Sequence, residues 1–272
     1  MNLSKGYLKL KEEAEKIKQS AKAFEFLSLK KEKQLPYAYP CDNYLDKVLS
    51  NIIIRKTLQA LVDKQYKKQI DDIRESGELV TSSQYPRLDN ILQYCYNELK
   101  VKVIPEVYVT SKLNGINALS IGSDNKPIIL ISQRATIILS EGELKFVLGH
   151  ELSHILQKNL MCHTIKGILD NINNKHEILG PIISDTIEVP LNQWYRCSEY
   201  TADRGGMICC KDINAVYRLF NRFCNTQKDI SPVNDYYELN HAHPLLTNRW
   251  KEINTYHEMR GISKRDVYTT KQ

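Results

Sequence analysis

The chain has 272 residues, of which 42% are hydrophobic and 26% charged, so it can bury a sizeable core without disulfide or metal staples. A formal charge of +6, with no arginine-rich block, gives no argument for a nucleic-acid partner. No window of 18 apolar residues occurs and the start carries no apolar targeting core, which makes the cytoplasm the default compartment and a transmembrane segment unexpected.

In chain order, residues 3–33 read as a basic amphipathic helix with Leu10, Ala14, Ile17, Ala21 and Phe24 on one stripe. It is read as a solvated helix packed on the body, with weak membrane-surface contact as the alternative. Pro36-Tyr37-Ala38-Tyr39-Pro40 reads as a turn or linker. A second helix runs from Asp42 or Asn43 to about Ser76 and stops at Gly77; a third follows Pro86. From 102 the texture turns β-branched: Val103 to Ser111, Ile116 to Gly122 and Pro127 to Ser132 read as three short strands, with hairpin residues between the last two. Residues 133–139 suit a short approach helix.

Residues 140–156 organise the rest. Ser140 and Glu143 form a capping box, and Leu144, Val147, Leu148, Leu152 and Ile155 recur at helical spacing. This helix carries His150-Glu151-Leu152-Ser153-His154. Four-residue spacing puts both imidazoles on one face, where they can take two corners of a tetrahedral zinc site. Glu151 is rotated off that pair and is placed to take a proton from a water at the metal. The competing reading is a core helix with two satisfied histidines.

Residues 160–190 read as helix, loop and partial helix. A long helix from Leu191 passes through Trp194, Cys197, Tyr200 and Met207, another spans Asp212 to Asn225, and residues 226–240 are loop. A last helix covers Leu245 to Met259, and residues 261–272 form a loose polar tail. Zinc needs a third protein ligand, and Glu199 in Arg196-Cys197-Ser198-Glu199 is the best candidate, with Asp203 one turn on to hold the outer N–H of His150. Ordinary solvated carboxylates are the alternative for both. Cys41, Cys95, Cys162, Cys197, Cys209, Cys210 and Cys224 fit no zinc spacing and are expected to be reduced thiols.

These landmarks together resemble the HtpX and CAAX-prenyl-endopeptidase family of HExxH zinc metallopeptidases, the type with two histidines and a downstream glutamate. Asn117-Ala118 matches the family's strand before the active-site helix, Glu143 to Ile155 its motif helix, Arg196 to Asp203 its Glu-x-x-Ala-Asp helix, and His243-Pro244 with Arg249 its His-Pro…Arg motif. The match covers roughly 100–260 and lacks the transmembrane helices of many members. The resemblance implies an α+β, predominantly helical, zincin-like metallopeptidase core with a small β-sheet beside the HExxH helix. Together with the reading of the chain outside the match, this gives an expected organisation into a helical N-terminal region 1–100, a zincin-like peptidase domain 101–260 and a loose polar tail 261–272. The implied activity is zinc-dependent hydrolysis of peptide bonds in extended or unfolded polypeptide. One Zn²⁺ would be held by His150, His154 and Glu199, with Glu151 as general base. Asn117 and Ala118 would present a strand edge to the peptide, and Arg249 would pair with a carboxylate near the site. His243 admits three roles: oxyanion donor, occupant of the open metal position, or a loop-shaping residue. A metal-binding chaperone-like module of the same fold and a peripheral membrane protease are the competing functions; an intact Glu151 speaks against the first.

Overall fold

The computed structural model describes residues 35–40, 71, 73–123, 126–158, 160, 189–226 and 244–269. The expected helix 3–33, most of the second helix, the segment 161–188, the loop 227–240, and His163, His176, His241 and His243 lie outside the described residues.

The described architecture is α+β and mostly helical. In chain order it comprises β1 (Glu78–Leu79), α1 (Pro86–Leu99), β2 (Glu106–Thr110), β3 (Ala118–Ser123), β4 (Lys126–Ser132), α2 (Gln133–Ile138), α3 (Glu141–Leu156), α4 (Val189–Cys210), α5 (Ile213–Thr226) and α6 (Leu246–Thr269). The four strands form one mixed sheet in the order β1-β2-β4-β3. β2 and β4 are parallel, with Val107 opposite Ile129; β3 and β4 are antiparallel, with Ser120 opposite Ile129. The unbroken apolar run Ile128 to Ile131 has a direct cause: β4 lies between two neighbours and is covered on both faces. Ile129 and Ile131 enter the main core, while Ile128 and Leu130 join a smaller cluster with Tyr108 and Ile121. β3, by contrast, is the end strand of the sheet among the described residues.

The motif helix begins as its sequence requires. Ser140 is the N-cap; its Oγ accepts from the Glu143 amide at 3.4 Å, and Glu143 Oε2 accepts from the Ser140 amide at 2.8 Å. Glu143 is also a bridge, because Arg222 Nε on α5 donates to its other oxygen at 3.1 Å. Burial would raise this carboxyl, but the cap bonds and the Arg222 charge outweigh it and hold it below its ordinary range.

Helices α3 and α4 approach almost backbone to backbone. A Cβ added at Gly149 would sit 2.9 Å from Cys209 Cβ, and one at Gly205 would sit 1.7 Å from Ser153 Oγ and 2.9 Å from Ser153 Cβ. Only glycine fits at such a crossing. We expect Gly205→Ala to lower stability by about 1–3 kcal/mol through overpacking, although alanine gains about 1 kcal/mol over glycine in an open helix. Thermal unfolding of the metal-free protein measures this, and a raised midpoint would mean that the helices do not meet there.

Three features differ from the sequence expectations. The Pro36–Pro40 segment does turn, but it also docks. Tyr37 is buried in the core, its hydroxyl lies 3.0 Å from Ser153 Oγ, and Arg204 donates to the Ala38 carbonyl at 2.9 Å. Burial pushes the Tyr37 phenol up to about 12. Cys197 is disulfide-bonded, whereas Cys95, Cys209, Cys210 and Cys224 are free; the expectation of seven reduced thiols therefore fails at Cys197. The last helix continues to Thr269, past Gly261, where a loose tail was expected. Extending an existing helix adds one backbone bond per residue ordered, so a single glycine need not end it. The core also reaches back before residue 101, since β1 pairs with β2 and α1 buries Leu88, Ile91, Leu92 and Cys95 in it.

Candidate metal centre

The crossing of α3 and α4 fixes what faces what. His150 and His154, one turn apart on α3, place their Nε2 atoms 3.1 Å from each other. Glu199 on α4 meets both: its Oε1 is 3.3 Å from His154 Nε2 and its Oε2 is 3.7 Å from His150 Nε2. One ligand atom from each of the three lies within 4.8 Å of the other two. Donors about 2.0–2.2 Å from a tetrahedral zinc are spaced about 3.3 Å apart, so the observed separations fit that ion.

The outer ring nitrogens are engaged from behind. His150 Nδ1 lies 3.0 Å from Asp203 Oδ1, and His154 Nδ1 lies 3.3 Å from Ser198 Oγ. With Asp203 as acceptor, His150 carries its proton on Nδ1 and turns the Nε2 lone pair inward. Two imidazole nitrogens and a buried carboxylate facing one another form a cluster that could hold a metal ion. Burial would lower the His150 imidazole, but its bond to Asp203 and the Glu199 and Asp203 charges outweigh this and raise it. A metal held at Nε2 would compete with a proton for that lone pair, so its affinity would fall as the solution becomes acidic.

Arg249 on α6 completes the surround. Its Nε and a terminal nitrogen donate to the two Asp203 oxygens at 2.8 and 2.6 Å, and its other terminal nitrogen lies 3.5 Å from Glu199 Oε2. Asp203 is 2% exposed; burial would raise it, yet the Arg249 charge and hydrogen bonds and the His150 bond keep it below its ordinary range.

Glu151 is buried on the same helix, turned toward the sheet, where Ser120 Oγ donates to its Oε2. Asn117 and Ala118 lie at the start of β3. The Asn117 carbonyl accepts from the Ser132 amide at 2.9 Å, and Ala118 is opposite Ile131. The structure thus brings His150, His154, Glu199, Asp203 and Arg249 together and puts Glu151 on the side facing β3; His243 lies outside the described residues. Sequence reasoning missed Ser120 and Ser198. Ser198 adjoins Glu199, a signal within reach; Ser120 meets Glu151 across 31 positions, and nothing local marks it.

Comparison with known proteins decides the family. Residues 82–257, well over half of the chain, match the model of peptidase family M48.

The chain belongs to peptidase family M48.

The M48 match takes in every described site residue and begins just before α1. Its relatives include the plastoglobule-localized metallopeptidase 48, chloroplastic, of Arabidopsis thaliana, 30% identical over 139 residues, which span 51% of this chain and 40% of that protein. Two proteins named protease HtpX homolog are each 25% identical. That of Helicobacter acinonychis (strain Sheeba) aligns over 59% of this chain and 58% of its own length, and that of Helicobacter pylori (strain Shi470) over 54% and 56%. The chain therefore spans less than two thirds of the length of these M48 relatives. Among the described residues no helix is long and apolar enough to cross a membrane.

Proposed function

We propose that this chain is a zinc-dependent endopeptidase acting on extended or unfolded polypeptide. The observation that carries the reading is the convergence of His150, His154 and Glu199 beside a carboxylate, Glu151, which is not itself directed at the cluster as a ligand. A purely structural zinc site is closed by four protein ligands and has no use for a neighbouring base.

A zinc ion held by these three side chains supplies Lewis acidity and a water of lowered pKa. The chain's own residues do the rest. Asp203 and Ser198 orient the two imidazoles. Glu151 accepts the proton of the attacking water and delivers it to the leaving amine as the C–N bond breaks. β3 closes one end of the sheet order beside α3, and its outer edge, starting at Asn117 and Ala118, suits an extended peptide that adds as a further strand. Backbone pairing of that kind selects extended over folded segments.

The test is removal and return of the metal. Dialysis against a chelator is expected to abolish cleavage of casein or a quenched peptide, and one equivalent of zinc to restore it. Cleavage that survives complete removal of metal would overturn the proposal.

A further inference from the structure

Ser120 lies in the middle of the end strand and is only 7% exposed. Its partner across the ladder is Ile129, which belongs to the main core with Ile131, so its surroundings are apolar. A hydroxyl in such a place costs stability unless it is hydrogen-bonded. Its single hydrogen faces Glu151 twice: Oγ donates to Oε2 and also lies 3.3 Å from the Glu151 backbone carbonyl. Among the described residues no other side chain donates to the Glu151 carboxylate.

We propose that Ser120 is a positioning residue for Glu151. By holding Oε2 it restricts the three side-chain torsions of the glutamate and leaves Oε1 as the oxygen that accepts the proton. The inference rests on the reading of Glu151 as general base. It has a corollary for substrate engagement: the strand on which a peptide would dock is the strand that sets the base, so peptide pairing along β3 and alignment of the carboxylate share one mechanical link.

The experiment uses the full chain, zinc-loaded, with a quenched peptide. Ser120→Ala is expected to lower kcat by about 10–100-fold, by analogy with the cost of removing a group that orients a metal-ligating side chain, with KM and zinc content unchanged. Ser120→Thr should retain most of the rate and Ser120→Val should not, a pair of nearly equal shape that separates the hydroxyl from packing. In a Glu151→Gln background, Ser120→Ala should cause no further loss. A second readout needs neither metal nor turnover. The carboxylate stretch of Glu151, isolated in the metal-free protein as the infrared difference from Glu151→Gln, should shift in Ser120→Ala and return in Ser120→Thr. Wild-type kcat with an unshifted band in Ser120→Ala, or an equal loss in both backgrounds, would overturn the proposal. Full activity of Glu151→Gln would instead remove the base itself, so the two failures are distinguishable.

Discussion

Glu151→Gln is expected to lower kcat by about 10²–10⁴-fold, the range for loss of a positioned general base, while zinc content and thermal stability stay near those of the wild type. The substitution keeps the side-chain length. The amide oxygen can still accept the Ser120 hydroxyl, so the contact between β3 and α3 survives. What it cannot do is take a proton from water and return it to the amine. KM should change little, because nothing in the arrangement has Glu151 bind the peptide. Steady-state kinetics with metal analysis of both proteins checks this, and equal rates at equal zinc content would remove Glu151 from the mechanism.

Arg249→Ala should have the largest effect on stability, about 3–5 kcal/mol in the metal-free protein. The guanidinium is the cation that balances Asp203 and Glu199, whose side chains are 2% and 5% exposed. Removing it leaves two buried carboxylates close together without their guanidinium partner, facing the imidazoles of His150 and His154, and breaking a buried pair from one side costs that amount. The loss should be smaller with zinc bound, because the ion would supply Glu199 with the positive charge that the variant lacks. Chemical denaturation of the variant with and without zinc reads both effects. A variant as stable as wild type without metal would show that Arg249 does not balance those charges.

The contrast between these residues shows what a sequence can and cannot disclose. The motif helix was legible because its signals are local: the capping box at Ser140 and Glu143, and a repeat that one α-helical period explains. Glu199 and Asp203 were legible because zinc chemistry asks for a third ligand and a support, and the two lie one turn apart on a helix long enough to span the pair. Residues whose partners are far away in the chain were not. Nothing near Tyr37 says that it is buried against Ser153, 116 positions on. Nothing in Glu78–Leu79 marks a strand, since its two residues become one only by pairing with Tyr108 and Val109. The glycines at 149 and 205 carry their reason at the crossing, where each gives way to the other helix.

Whether His150, His154 and Glu199 share one zinc ion can be read by zinc-edge X-ray absorption on the purified protein, because it counts the ligand atoms around the ion. About one zinc per chain is expected, with two imidazole nitrogens and carboxylate or water oxygens at about 2.0–2.2 Å, and loss of that signal in Glu199→Ala. A spectrum with sulfur in the coordination shell, or a zinc signal unchanged by Glu199→Ala, would contradict it.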